Sequence, residues 1–150
     1  MRKKLAVIDI DETLIEWELG YPYRFFPRTG AQELLNRLRE ENIDVVLFTT
    51  ASIRFAKHVA FVSFKGYEFI DILGSESVTM HNGEKVKDIS RFTELGYKLE
   101  DIVLVDDKKR NGSLYPDNFI KVIPPAYYSK RNRFDYELLS VTEKIIKFFK

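Results

Sequence analysis

Leu5-Ala6-Val7-Ile8-Asp9-Ile10-Asp11-Glu12-Thr13-Leu14, residues 5–14, is the stretch from which the rest of the chain is read. Residues 5–10 form a short apolar run rich in branched side chains, which predicts a strand buried on both faces and therefore central in a sheet. Working outward, Ala31, Leu34, Leu35 and Leu38 recur at helical spacing within residues 29–41. Thr29 is the expected N-cap there, with Glu33, Arg37, Arg39 and Glu40 facing solvent. Residues 43–48 repeat the buried-strand pattern, residues 52–64 read as a second helix, and Gly66 stands where a helix C-cap would.

The second half continues the alternation less regularly. Residues 69–86 contain Gly74, His81, Asn82 and Gly83, and Asn82-Gly83 between strand-like residues is a hairpin signal. A small β insertion is expected there, within about residues 66–86. Residues 88–95 read as a short helix, 102–105 as another buried strand, and 119–123 as a last strand stopped by Pro124-Pro125. Residues 134–149 close the chain with an amphipathic helix expected to pack on one face of the sheet. Repeated strand-helix-strand order with right-handed crossovers predicts an α/β fold, a Rossmann-like three-layer α/β/α sandwich with a mostly parallel sheet. One domain over residues 1–150 is expected, and a chain of 150 residues can bury roughly 68–70% of its unfolded surface.

Composition narrows the chemistry. With no cysteine, disulfides, thiolate metal sites and cysteine nucleophiles are excluded, so any metal must be held by oxygen or histidine. The longest apolar runs are far too short to span a membrane, and Met1-Arg2-Lys3-Lys4 leads directly into a strand without a cleavage site. A cytoplasmic protein with no membrane partner is the expectation. A net charge of +1 argues against wholesale coating of nucleic acid, although basic residues cluster locally.

In open parallel sheets the site lies beyond the carboxyl ends of the strands. Asp9 and Asp11 follow the first strand, Thr49 and Thr50 the second, and Asp106-Asp107 a later one, with Lys87 between. Asp9 and Asp11, two apart, leave the same side of an extended segment and can address one substrate. An ionised carboxylate can attack phosphorus, and a protonated neighbour can give a proton to the leaving oxygen and later take one from water. Asp9 is assigned the attack and Asp11 the acid/base role. Asp9, Asp11, Asp106 and Asp107 facing a dianionic phosphate would repel it, so a cation is required. Oxygen ligands favour Mg2+, with these four aspartates as candidate ligands and Asp9 and Asp106 foremost among them. Lys87 would add a fixed positive charge at the transferring phosphoryl group, and the Thr49 hydroxyl a hydrogen bond to one of its oxygens.

The ordered set Asp9-Ile10-Asp11-Glu12-Thr13, Leu47-Phe48-Thr49, Val86-Lys87-Asp88 and Leu104-Val105-Asp106-Asp107 resembles the haloacid dehalogenase superfamily of aspartate-nucleophile phosphatases. Any one of these motifs is weak, whereas the set in the family's order is strong. Adding Leu14, Val46, Ile89-Ser90 and Tyr115-Pro116-Asp117-Asn118, the chain is more closely similar to the small C-terminal-domain phosphatase branch, the NLI-interacting-factor type. That resemblance implies Mg2+-dependent hydrolysis of phosphoserine in proteins, no large cap domain, and a small β insertion between the second and third motifs. Two segments depart from the branch: Thr49-Thr50-Ala51-Ser52 carries one more residue than its usual Thr-Ala-Ser, and Asp106-Asp107-Lys108-Lys109 replaces its Asp-Asn-Ser-Pro.

Simpler readings compete at several positions. Thr50 is expected to cap the following helix. Lys85 is the alternative to Lys87, and His58 and His81 lack a second histidine at ligand spacing. Trp17, Tyr21, Tyr23, Phe25 and Phe26 read equally as core or as the wall of a groove. Lys108-Lys109-Arg110 and Lys130-Arg131-Asn132-Arg133 are solvated loops or a positive rim for a polyanion. Residues 14–45 read as one helix and a loop, which leaves the site open and favours a phosphorylated macromolecule, a phosphoprotein first. A nucleic-acid end, with Tyr127-Tyr128 as stacking groups, is the alternative partner, and a small metabolite is the third. A receiver-type signalling domain is disfavoured because Lys87 precedes Asp106-Asp107, and an inactive phospho-ligand binding module because Asp9 and Asp11 are both intact.

Overall fold

Strand β1 (Lys4–Ile8) is followed by β2 (Ile15–Trp17), β3 (Phe25–Pro27), α1 (Ala31–Glu40), β4 (Ile43–Phe48), α2 (Ile53–Ser63) and β5 (Asp71–Leu73). Then come β6 (Thr79–His81), β7 (Glu84–Val86), β8 (Ile102–Asp106), β9 (Phe119–Lys121) and α3 (Glu137–Phe148), with short 3-10 turns between them. This computed structural model describes residues 1–18, 24–125 and 135–150. Tyr21, Tyr23, Tyr127-Tyr128 and the run Lys130-Arg131-Asn132-Arg133 lie outside the described residues.

The main sheet is parallel throughout, in the order β5-β4-β1-β8-β9. As its apolar run predicts, β1 is the central strand, with β4 and β8 on either side. Alternate residues feed two cores. Ala6, Ile8, Val45, Leu47, Val103 and Val105 pack with Leu34, Leu35, Val59, Leu138 and Ile145 from the three α-helices. Leu5, Val7, Val46, Phe48 and Leu104 pack with Ile89, Phe92 and Tyr97 on the other face. The fold is therefore Rossmann-like, with one outer layer of α-helices and the other led by the 3-10 turn Ile89–Leu95, where the sequence predicts a short helix.

Several boundaries differ from the sequence reading, each for a local reason. Thr29 does not cap α1; Gly30 holds that position with φ +87°, and no side chain caps the helix. Burying a leucine contributes roughly 1.5–3 kcal/mol, and α1 buries Leu34, Leu35 and Leu38. That outweighs the roughly 1 kcal/mol of a side-chain cap. Thr50 does not cap α2 either, because the Ser52 hydroxyl accepts the Phe55 N–H at 3.2 Å. Residues 14–45 hold more than a helix and a loop: β2 and β3 pair as an antiparallel hairpin directly after the first motif. Residues 69–86 are not one excursion, since β5 joins the main sheet beside β4 and only β6–β7 forms a separate hairpin. Its turn is Asn82-Gly83, with φ +51° and +78°, the left-handed pair that a two-residue hairpin turn demands. Among the described residues, no helix is long and apolar enough to cross a membrane.

Candidate active site

The strand order reverses at β1, whose neighbours β4 and β8 leave in opposite directions along the sheet. A crevice opens beyond their carboxyl ends. Asp9 continues β1 by one residue, its N–H donating to the Val105 carbonyl at 2.9 Å. The chain then turns sharply, with the N–H groups of Thr13, Leu14 and Ile15 all directed at the Ile10 carbonyl and Glu12 held at φ +61°. This turn brings the Thr13 hydroxyl back to donate to Asp9 Oδ2 at 3.1 Å.

Lys87 follows β7 directly and its side chain is wholly buried. Its Nζ donates to Asp9 Oδ1 at 2.9 Å and to Asp106 Oδ2 at 2.6 Å. Lys85, by contrast, is exposed, so of the two lysines it is Lys87 that the fold brings to Asp9 and Asp106. Thr49 follows β4, buried, and its hydroxyl oxygen accepts the Ala51 N–H at 3.0 Å. That bond leaves the hydroxyl proton available for another acceptor. Asp106 ends β8 fully buried: Oδ1 accepts the Lys108 N–H at 2.8 Å, and Oδ2 accepts the Asn111 amide at 3.0 Å as well as Lys87.

Asp9, Asp106 and Asp107 each offer a carboxylate oxygen within 4.8 Å of the others. The Asp11 carboxylate is outside this group and accepts the Trp17 indole N–H at 3.1 Å instead. Burial pushes Asp9 up from 3.8 to about 6, against the pull of the Lys87 ammonium and with Asp107 adding to the rise. Burial likewise raises Asp106, helped by the Asp9 charge, and raises Asp107 and Asp11. Lys87 is held above its ordinary value: burial works against its charge, but Asp9 and Asp106 together outweigh that. One buried ammonium is thus set among three carboxylates. Hard oxygen donors so closely grouped, and short of positive charge, fit a small divalent cation such as Mg2+.

Three contributors escape a motif reading. Asn111 not only donates to Asp106 but also accepts the Lys87 backbone N–H at 3.1 Å, so it ties two parts of the site together. Its loop lies close under β9, because a Cβ at Gly112 would come within 2.4 Å of the Phe119 ring. Thr13 orients Asp9, and Trp17 orients Asp11. Trp17 itself is fixed by stacking on Phe55 at 5.8 Å and by the edge of Phe25 at 5.6 Å. The aromatic residues at 17 and 25 therefore pack against the core while one of them reaches the site. His58 meets the edge of Phe25, and both it and His81 are exposed.

Residues 4–150 match the profile of the family described as NLI interacting factor-like phosphatase. The human carboxy-terminal domain RNA polymerase II polypeptide A small phosphatase 1 is 30% identical over 137 residues, covering 80% of this chain and 51% of that protein. The mitochondrial import inner membrane translocase subunit TIM50 of Caenorhabditis elegans is 27% identical over 143 residues, covering 94% of this chain and 30% of that protein. The chain spans about half the length of these curated relatives, or less. Among solved structures, a putative beta-phosphoglucomutase from Thermotoga maritima superposes with a TM-score of 0.64 at 13% identity, over 96% of this chain and 97% of that one. At that identity the likeness is one of fold, and it agrees with the parallel, Rossmann-like sheet described above. Because that profile spans residues 4–150, the whole main sheet included, this chain belongs to the family of NLI interacting factor-like phosphatases.

Proposed function

We propose that the chain hydrolyses phosphomonoesters through a phosphoryl group carried on Asp9, with Mg2+, and that its substrate is a phosphoprotein of the phosphoserine type. One observation carries the reading: Asp9 is a buried carboxylate with both oxygens oriented by donors, Lys87 and Thr13, at the open end of β1. Asp9, Asp106 and Asp107 are the residues that would hold the cation, and its charge would offset the repulsion between carboxylates and phosphate. Asp106 is the most heavily engaged of the three, its two oxygens accepting three N–H donors where those of Asp9 accept one donor each.

In the first step an Asp9 oxygen bonds to phosphorus as the bond to the leaving oxygen breaks, and Asp11 gives that oxygen its proton. Burial, which raises Asp11, keeps more of the acid form near neutrality. Thr49 donates its free hydroxyl proton to a phosphoryl oxygen, and Lys87 holds positive charge beside Asp9 throughout. In the second step Asp11 takes a proton from water, the water oxygen bonds to phosphorus, and Asp9 leaves as carboxylate with release of phosphate.

The phosphoprotein substrate is supported by likeness to a relative named for the RNA polymerase II carboxy-terminal domain, and by the lack of a large cap over the described strand ends. An inactive binding module would have no need of the Asp9 and Asp11 pair. Purified protein is expected to release phosphate from 4-nitrophenyl phosphate only with Mg2+, and Asp9→Asn to lower turnover by at least about a thousandfold. Turnover in Asp9→Asn close to that of the parent would remove the nucleophile from the scheme.

A further inference from the structure

Outside the carboxylate cluster, Arg28 is the one buried arginine among the described residues, 2% exposed. It makes a two-pronged pair with Asp135, Nε to Oδ2 at 2.7 Å and Nη2 to Oδ1 at 3.2 Å. Asp135 Oδ1 also accepts the Glu137 N–H at 3.2 Å, so the pair is fixed to the start of α3. The remaining guanidinium nitrogen, Nη1, reaches the Glu12 carbonyl at 3.4 Å, and the Arg28 backbone N–H donates to the Leu14 carbonyl at 2.8 Å. Arg28 thus grips the turn after β1 at Glu12 and at Leu14. Between and beside those two points lie Thr13, which orients Asp9, and Asp11.

Glu12 sits at φ +61°, a left-handed conformation that a non-glycine residue keeps only when its surroundings impose it. A buried ion pair is seldom there for stability, because an apolar pair of similar volume often serves as well or better. The forked shape of a guanidinium supplies direction, which an apolar pair does not. We infer that the Arg28–Asp135 pair is a positioning clamp for catalysis: it holds the Glu12 carbonyl and thereby sets the Asp11 carboxyl where it can meet the leaving oxygen. The catalytic part of this inference rests on the phosphatase reading above.

Leaving-group chemistry separates positioning from mere folding. Nitrophenolate departs without a proton, whereas a serine alkoxide needs one from Asp11. A clamp that positions Asp11 must therefore matter more for phosphoserine than for the aryl ester. Loss of folded protein would lower both rates in the same proportion. The double variant Arg28→Met/Asp135→Leu removes the clamp without leaving a buried charge unpaired. Arg28→Lys, which keeps a charge but cannot form the fork, is the second variant should the first not fold.

The experiment compares kcat/KM for 4-nitrophenyl phosphate and for a phosphoserine peptide, with Trp17 fluorescence read in parallel. Trp17 is the sole tryptophan and donates to Asp11, so it reports on this turn whether or not the protein turns over. The expected result is a loss on the peptide at least tenfold greater than on the aryl ester, with Trp17 emission shifted to the red and more open to acrylamide. Equal losses on both substrates, or an unchanged ratio, overturn the clamp. Should the parent protein hydrolyse neither ester, the phosphatase reading fails by itself; unchanged Trp17 emission and quenching in the variants would then overturn the clamp independently.

Discussion

Burial lifts Asp9 to about 6 from an ordinary 3.8, although the Lys87 ammonium is only 2.9 Å away. Folding therefore favours the protonated form, and the native state binds more protons than the unfolded chain between about pH 4 and 6. With metal removed, stability must fall as pH rises through that window and stay low above it. A shift of this size corresponds to roughly 2–3 kcal/mol. Asp9→Asn removes the titrating group while keeping its shape. The metal-free variant is thus expected to melt about 4–10 °C above the metal-free parent at pH 7.5, with the gain gone near pH 4. Mg2+ should raise the melting temperature of the parent and act less on the variant. Thermal unfolding with EDTA or Mg2+ at both pH values checks this, and equal melting at pH 7.5 without metal would contradict it.

At the level of elements, the β2–β3 hairpin matters most, because it carries the Trp17 indole to Asp11. A donor to the charged form of a carboxyl lowers its pKa, so the indole moderates the rise that burial imposes on Asp11. Trp17→Phe keeps a ring against Phe55 and Phe25 but removes the N–H. Asp11 should then hold its proton to higher pH, moving the alkaline limb of the kcat profile upward, with kcat lower by roughly three- to tenfold from lost orientation. A limb that stays in place would mean that the indole does not act on the acid. This hairpin was not legible in the sequence: each strand is three residues long, too short for a period of two to register. Strand β5 was absorbed into the insertion for the same reason. Longer elements were plain; α1 buries the four residues that its helical spacing marks, and β4 begins and ends where its apolar run does.

Across the whole molecule, what sequence shows and what it hides divide by chain separation. The positions of Asp9, Thr49 and Asp106 were legible because each lies at the end of an apolar strand, and parallel topology gathers strand ends at one edge. Lys87 follows the short, largely exposed β7 of a separate hairpin, and only the family resemblance marked it. The Arg28–Asp135 pair spans 107 positions, and Asn111 reaches Lys87 and Asp106 across a loop, so no local pattern announces either. The same edge carries Lys108, Lys109 and Arg110, all exposed, with the Lys108 ammonium 3.8 Å from Asp107. Such a rim attracts an anionic macromolecule at long range, and that attraction fades with salt because charges beyond the Debye length, roughly 10 Å at 0.1 M, are screened. Lys109→Ala/Arg110→Ala leaves the buried site untouched and should lower kcat/KM for an acidic phosphoserine peptide by about three- to tenfold at low salt. The difference should close by about 0.5 M salt, while 4-nitrophenyl phosphate, too small to span the rim, responds little. Running a 3′-phosphorylated oligonucleotide beside the peptide makes the comparison decisive for substrate class. A larger and more salt-sensitive loss on the oligonucleotide, coupled with faster turnover of it by the parent, would replace the phosphoprotein with a nucleic-acid end.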